Sequence, residues 1–252
     1  MTAKIALTGL PLVFLAVLSV EAYLAMTATY LQDDPALLAQ ATVGPPSATG
    51  QPLELVVLGD STAAGIGSPT AAQSLAVLVA DRVAHRVRRP VHVVSKGVAG
   101  ARTATVLGRQ VPLLEAAKPD VVLIVVGSND VTHVTAPWTM RRQTAALVEA
   151  ARNVGHAPVV IGGIPQFRTV PAFSQPLRWV TGRYASVLRE AQRAAAAETR
   201  AAYVDIAALA SPRFLGRPES MSSDGFHPSS VGYGFWADAL APAVADAVRS
   251  AG

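Results

Sequence analysis

Short apolar runs alternate with longer amphipathic stretches along the chain from Leu53 onward. The continuous run VVLIVV at Val121–Val126 is typical of a central strand that is buried on both faces of a sheet. Shorter apolar runs predict four more strands, at Leu53–Leu58, Val91–Ser95, Val159–Ile161 and Ala202–Asp205.

Apolar residues at helical spacing fill the intervals between these strands. They predict helices over Thr70–Arg88, Thr103–Ala117, Pro137–Asn153, Arg178–Arg200 and Ser229–Arg249. Pro112 is expected to kink or split the second of them. Because strand and helix alternate throughout, the sequence predicts an α/β protein with a parallel sheet and helices on both faces.

The first residues follow a different pattern. Lys4 precedes an apolar run from Ile5 to Val20, and Asp33 and Asp34 come after it. A run of this length can just span a bilayer, and the charges favour a domain outside the cytoplasm. We predict a hydrophobic signal anchor or signal peptide in residues 1–32. A cleaved peptide, with its small-x-small site at Ala39–Ala41, and a core helix are the alternatives to an uncleaved anchor.

Residues 33–52 are rich in Pro, Gly, Ser and Thr, and their apolar periodicity fades. This composition predicts a linker between the N-terminal segment and one domain over residues 53–252.

Composition narrows the function classes. The chain has 252 residues and 51% of them are hydrophobic, which is enough for a sizeable core. It has no cysteine, which excludes disulfides and thiolate metal sites. The basic stretch at His85–His92 is typical of a helix end, so no nucleic-acid partner is predicted. No metal cluster or phosphate-binding loop is evident, so no cofactor is predicted.

Polar residues follow the first predicted strand in the segment GDSTAAG. Ser61 in this segment is a nucleophile or, alternatively, part of an ordinary strand-to-helix turn that Asp60 helps to cap. The segment is not the G-x-S-x-G elbow of the α/β hydrolases, because the residue two positions after Ser61 is Ala63.

Two further loops at the same predicted edge of the sheet carry hydrogen-bond donors. Gly97 and Gly100 follow the second strand, where glycine lets a backbone N–H approach a ligand closely. Asn129 follows the third strand and has an amide suited to an oxyanion. Ordinary loop and turn chemistry is the alternative for each of these residues.

The last loop contains the segment SSDGFHPSSVGYG. Asp224 lies three residues before His227, close enough to orient its imidazole as a serine hydrolase requires. A capping or packing histidine is the alternative. His133 is the one serious rival as a base, because it lies just beyond Asn129.

Together these segments resemble the SGNH (GDSL) hydrolase superfamily, whose four motif residues fall in order on Ser61, Gly100, Asn129 and His227. The resemblance implies a flavodoxin-like, three-layer α/β/α sandwich of about five parallel strands. It implies that Ser61 attacks an ester carbonyl, that His227 is the base and that Asp224 orients it. The oxyanion hole would consist of the Ser61 and Gly100 N–H groups and the Asn129 amide, with Gly97 as the alternative glycine.

The sequence departs from the family pattern at Lys96, where asparagine is common. The implied function is a serine esterase acting on lipid, short-chain acyl or acylated glycan esters, with thioesters as a further option. An inactive acyl-glycan binding module and a membrane-anchored structural protein are the alternatives. Aromatic and aliphatic residues after the fourth strand are predicted to line an acyl pocket, or else to cover the core: Phe167, Phe173, Leu177 and Trp179.

Overall fold

The structure is a computed structural model that describes residues 2–251, with side chains described for residues 11–250. Its sheet contains six strands: β1 (Gln40–Val43), β2 (Leu53–Gly59), β3 (Val91–Ser95), β4 (Val121–Val125), β5 (Val159–Gly162) and β6 (Ala202–Val204). The strand order is β1-β3-β2-β4-β5-β6, and every pair is parallel except β1 with β3. The predicted parallel sheet is confirmed, and its five strands are those that the apolar runs indicated.

The α-helices are α1 (Thr2–Thr27), α2 (Leu75–Val87), α3 (Thr103–Thr105), α4 (Leu114–Ala117), α5 (Ser128–Thr132), α6 (Pro137–Gly155), α7 (Leu177–Glu198), α8 (Ile206–Leu209) and α9 (Ser230–Ala251). Short 3₁₀ turns occur at Pro35–Leu37, Ala71–Gln73, Val111–Leu113, Phe167–Thr169, Ser211–Phe214 and Pro218–Ser220. The predicted helix over Thr103–Ala117 is split, with a π-helical turn at Val106–Gln110 and Pro112 inside the next 3₁₀ turn. Proline has no N–H to continue the helical ladder, which accounts for the break.

Two apolar layers cover the two faces of the sheet. Alternate residues of β2 point to opposite sides, with Leu55 and Val57 facing α2 and α9, and Val56 and Leu58 facing α4 and α6. The arrangement is the three-layer α/β/α sandwich that the resemblance implied.

The strand β1 lies within residues 33–52, the segment predicted to be a linker. It pairs antiparallel with β3, from Gln40 opposite Val94 to Val43 opposite Val91. Its four side chains are only half-buried or exposed, so it lacks the continuous apolar run that marks a central strand. This is why the sixth strand was not predicted from the sequence.

The helix α1 lies outside the two apolar layers and packs against α7. Within the part of the chain that the structure describes, no helix is long and apolar enough to cross a membrane. The side chains of residues 5–10, at the start of the apolar run in the predicted signal anchor, lie outside those described.

Candidate active site

The predicted site residues come together at the carboxyl edge of the sheet, beside β2. Neighbours β3 and β4 lie on either side of β2, so the order of connections reverses at this strand. Ligands of doubly wound α/β proteins bind at such a switch point, outside the carboxyl ends of the strands. Ser61 lies two residues beyond the end of β2 at Gly59.

Gly59 is the residue that lets the chain turn toward Ser61. It has φ +154°, and a Cβ atom there would lie 2.0 Å from the Val125 carbonyl oxygen of β4. The buried Gln110 amide holds this point, since its Nε2 donates to the Gly59 oxygen and its Oε1 accepts from the Gly59 N–H, both at 2.8 Å. The turn that presents Ser61 is therefore held by two contacts of Gly59, one with β4 and one with Gln110 of the split helical segment.

A continuous chain of hydrogen bonds joins Ser61, His227 and Asp224. His227 Nε2 lies 3.0 Å from Ser61 Oγ, and His227 Nδ1 lies 2.7 Å from Asp224 Oδ2. Ser61 and His227 are 8% and 5% exposed, so both residues are largely shielded from water. The arrangement allows a proton to pass from the serine hydroxyl to the imidazole while the carboxylate fixes the imidazole tautomer.

Asp224 is held as a carboxylate by its own loop. Burial would raise its pKa, but hydrogen bonds from the His227 ring, the backbone N–H groups of His227 and Phe226, and the Ser222 hydroxyl hold it well below the usual range. Asp224 therefore stays ionised at neutral pH. The Ser222 hydroxyl donates to Asp224 Oδ1 at 2.7 Å, and the Ser222 N–H donates to the His227 carbonyl at 2.8 Å, which closes the loop.

The turn after Ser61 and the loop that carries His227 press directly on each other. At Gly67, which has φ +95°, a Cβ atom would lie 2.2 Å from the Pro228 carbonyl oxygen and 3.2 Å from the His227 Cβ. The Tyr233 hydroxyl of α9 donates to the Ile66 carbonyl in the same region. The distance between Ser61 and His227 is thus set by contact between backbones.

The other side of the site contains Gly97, Gly100 and Asn129. The Gly97 N–H donates to Ser95 Oγ at 3.2 Å, and a Cβ atom on Gly97 would lie 2.2 Å from the Ala64 nitrogen. Gly100 has φ +73° and open space around its Cα, and within the described chain its N–H makes no hydrogen bond. The Asn129 amide donates to the Ala101 carbonyl at 3.1 Å.

The buried carboxylate of Asp130 ties these loops together. Its Oδ2 accepts from the N–H and the hydroxyl of Thr103, both at 2.9 Å, and its Oδ1 accepts from the Thr135 hydroxyl at 3.1 Å. The loop after β3 and the loop after β4 therefore keep a fixed relation, which sets Gly100 relative to Asn129.

Asp60, next to Ser61, is a second buried carboxyl group. Burial raises its pKa to about 6, against the hydrogen bonds from the Thr62 N–H and hydroxyl and the charge of His227, which lower it. Its Oδ1 accepts both Thr62 bonds, at 3.0 and 2.8 Å. It shapes the turn and lies outside the chain of bonds that contains Asp224.

His133, the rival base, is placed elsewhere. It is exposed at the end of α5, and its Nδ1 lies 2.8 Å from the Asn129 carbonyl oxygen. No hydrogen bond links its ring to Ser61 within the described residues, where His227 makes that contact. The same part of the chain holds no cluster of three histidine or acidic side chains that could bind a metal ion.

A small cavity of about 40 Å³ lies directly beside Ser61 and His227. Of the four predicted pocket residues, Phe167 lines it, whereas Phe173 packs behind it with its ring centroid 5.8 Å from that of Phe226. Leu177 packs with the same apolar cluster, and Trp179 is 58% exposed on α7. The apolar side chains that line the cavity are Phe167, Val170, Phe214, Met221, Phe226 and Trp236.

Several residues that shape the site were not predicted, because they are not reactive side chains within the sequence motifs. Gln110 lies inside an amphipathic stretch and Trp236 inside the last helix, where both look like ordinary helical residues. Ser222 and Phe226 had a better signal, since they flank Asp224 and His227 in a loop that must fold tightly around the pair. Their roles depend on tertiary contacts that the sequence pattern does not encode.

The fold is that of the GDSL hydrolases. A family model described as the GDSL-like Lipase/Acylhydrolase family matches residues 57–235, and the chain belongs to that family.

Individual relatives agree with this assignment. A GDSL-like esterase of Mycobacterium tuberculosis is 32% identical over 198 residues, which are 78% of this chain but only 63% of the relative's length. Esterase TesA of Pseudomonas aeruginosa is 31% identical over 179 residues, which cover 69% of this chain and 79% of TesA.

Solved structures give the same result for the fold. A crystal structure of TesA superposes with a TM-score of 0.60 at 27% identity, over 75% of this chain and 97% of that one. A lipase/acylhydrolase from Enterococcus faecalis has a TM-score of 0.63 at 23% identity, over 77% and 96% of the two chains.

Proposed function

We propose that this protein is a serine esterase that hydrolyses carboxylic esters through Ser61, His227 and Asp224. The observation that carries the proposal is the unbroken chain of bonds from Asp224 Oδ2 through the His227 ring to Ser61 Oγ. Membership of a family of lipases and acylhydrolases, and relatives named as esterases, support the same reaction.

In this reaction His227 accepts the Ser61 proton as the hydroxyl oxygen attacks the ester carbonyl. The protonated imidazole then gives that proton to the leaving alcohol, and the acyl group stays on Ser61. Water that gives a proton to His227 then attacks the acyl carbonyl, and the acid leaves as the imidazolium returns that proton to Ser61 Oγ. Asp224 stays ionised and stabilises the imidazolium in both halves of the reaction.

We assign the oxyanion hole to the N–H groups of Ser61 and Gly100 and the Asn129 side chain. Within the described residues, neither N–H group donates a hydrogen bond, so both are available to a ligand. The Gly97 N–H is occupied by Ser95 Oγ, which favours Gly100 over Gly97. The Asn129 amide has a second N–H besides the one that bonds Ala101.

The cavity beside Ser61 supports a short acyl group in the substrate. Its volume of about 40 Å³ and its buried aromatic walls leave little room for a long aliphatic chain. We expect acetyl and propionyl esters to be hydrolysed faster than octanoyl or palmitoyl esters. Phe167→Ala, which shortens one wall, should move the optimum toward longer chains.

The test is turnover of p-nitrophenyl esters, from acetyl to palmitoyl, by the full chain and by Ser61→Ala. Turnover that disappears in Ser61→Ala supports the esterase, and retained turnover in that variant overturns the assignment of the nucleophile. An acyl-coenzyme A thioester in the same assay tests thioester hydrolysis. A folded wild-type protein that binds acylated glycans but turns over no ester would be the binding module instead.

We also propose that the domain acts outside the cytoplasm, on the pattern of Lys4, the apolar run after it, and Asp33 and Asp34. The test is accessibility of the domain to added protease in cells stripped of their outer layers but with an intact cytoplasmic membrane. Protection from protease until that membrane is lysed would place the domain in the cytoplasm.

A further inference from the structure

The segment between α1 and β1, residues 28–39, contacts the loop that carries Asp224. We call this segment the strap. The Leu31 N–H donates to Asp224 Oδ2 at 3.1 Å. This is the oxygen that also accepts the bond from His227 Nδ1 at 2.7 Å. A backbone donor far away in the sequence thus shares the oxygen that orients the proposed base.

The two oxygens of Asp224 are held in different ways. Oδ1 accepts from the Ser222 hydroxyl and from the N–H groups of Phe226 and His227, at 2.7, 2.9 and 3.0 Å. Those three donors belong to the same short loop. In the described part of the chain, the Leu31 N–H is the one donor to Asp224 from outside that loop. It fixes the rotation of the carboxylate about the axis set by Oδ1.

The strap is fastened close to Leu31. The Tyr30 ring packs against Phe226, with centroids 5.2 Å apart, and the Tyr30 hydroxyl donates to the Ala25 carbonyl at 2.8 Å. In α1, Glu21 accepts a bond of 2.8 Å from the Leu177 N–H at the start of α7. Leu31 is therefore preceded by a residue and a helix that are both attached to the domain.

The strap is fastened on its far side as well. The Leu37 carbonyl approaches Gly65 so closely that a Cβ atom there would lie 2.9 Å from it. The Ser95 N–H donates to the Ala39 carbonyl at 2.8 Å, just before β1 joins the sheet. With both ends attached, the Leu31 N–H is held in place for Asp224.

We propose that Leu31 is a positioning residue, whose N–H holds Asp224 Oδ2 in line with the His227 ring. The proposal rests on the proposed esterase function. The Asp224 side chain is only 3% exposed, so water cannot readily replace a missing donor. A hydrogen bond to a buried carboxylate is among the stronger ones in a protein.

The test uses Leu31→Pro in the full chain, because proline has no N–H to donate. We expect kcat per active site to fall about tenfold with KM nearly unchanged. The active sites are counted by reaction with a fluorophosphonate, so that misfolded protein does not contribute. Asp33→Pro is the matched control in the same segment, and it should retain wild-type kcat.

A second pair of variants tests the strap without a backbone change. Tyr30→Phe keeps the ring on Phe226 and loses only the bond to Ala25, so it should retain most of kcat, whereas Tyr30→Ala loses both contacts and should lower kcat in the same direction as Leu31→Pro. In an Asp224→Ala background, Leu31→Pro should have no further effect on the rate of fluorophosphonate labelling. If Leu31 had only a structural role, Leu31→Pro would lower the fraction of protein that the fluorophosphonate labels, both in the wild type and in Asp224→Ala.

The two proposals fail in different ways. If the wild-type chain neither turns over esters nor reacts with the fluorophosphonate, the esterase function is wrong. If the wild type is active and Leu31→Pro has the same kcat per titrated site, the positioning role of Leu31 is wrong.

Discussion

The two sides of the candidate site differ in how their polar groups are occupied. On the base side, Asp224, His227 and Ser61 are already joined by hydrogen bonds of 2.7 and 3.0 Å. On the oxyanion side, the N–H groups of Ser61 and Gly100 have no partner among the described residues. The hydrogen bonds of the base side are all formed without a ligand, whereas the N–H groups of the oxyanion side need a ligand as their acceptor.

This difference fits the chemistry that we propose. The base must hold its tautomer before the substrate arrives, whereas oxyanion donors act only when charge develops on the substrate oxygen. The loop that carries Gly100 and the helix α5 that carries Asn129 are nevertheless fixed to each other, because Asp130 bonds Thr103 and Thr135. Because the unpaired N–H donors lie on segments that are already fixed, these segments need not move when charge develops on the substrate oxygen.

The largest effect should come from breaking the base side. We expect His227→Ala to lower kcat by about 10⁶-fold, because the Ser61 proton then has no acceptor. His133→Ala is the matched control, and its kcat should stay close to that of the wild type. Steady-state kinetics with p-nitrophenyl acetate check both, and equal losses in the two variants would overturn the choice of His227 over His133 as the base.

A smaller loss of kcat should follow from removing a donor on the oxyanion side. Asn129→Ala should lower kcat by about 10²–10³-fold, because one donor to the developing oxyanion is lost. KM should change little, since the bond forms fully only in the transition state. An unchanged kcat would remove Asn129 from the oxyanion hole.

Alanine substitutions at Gly97 and Gly100 should differ in their effect on the free energy of unfolding. Gly97→Ala should lower the free energy of unfolding by about 3 kcal/mol, because its Cβ atom meets the backbone of Ala64. Gly100→Ala meets no atom and should lose only about 1 kcal/mol, from its positive φ. Urea denaturation of both variants measures the difference, and equal losses would contradict the distinct roles of the two positions.

The smallest effect concerns Asp60, whose pKa is raised to about 6 by burial. A raised carboxyl pKa contributes stability below its unfolded value, near 3.9, and loses that contribution as the pH rises through about 6. Asp60→Asn should therefore gain about 1–2 kcal/mol relative to the wild type between about pH 5 and pH 7. Denaturation at both pH values checks this, and a pH-independent difference would show that Asp60 does not titrate there.

The sequence predicted the central part of the fold because buried strands have a strong signal. The continuous apolar run at Val121–Val126 gave β4 to within one residue, and Val91–Ser95 gave β3 with the observed bounds. The edge strand β1 gave no such signal, since its side chains are half-buried or exposed and it is followed directly by glycine and two prolines. Its pairing is decided by β3, which lies about 50 residues further along the chain.

The predicted site residues lie in loops whose glycine, aspartate and serine residues mark them in the sequence. Ser61, Asp224 and His227 were therefore recognisable as a group, and the structure brings them into contact. Leu31 could not be recognised, because its contribution is a backbone N–H that any residue except proline supplies. The place of Trp236 in the cavity wall could not be predicted from the sequence either, because it depends on where α9 packs.

The absence of a side chain at Gly67 limits how this protein can be redesigned. Any larger residue there would push the Pro228 carbonyl, and with it the His227 loop, away from Ser61. A mutant library aimed at new substrates should therefore leave position 67 unchanged and vary the cavity wall at Phe167, Val170 and Met221. Diversity placed at Gly67 would separate the proposed nucleophile from the proposed base.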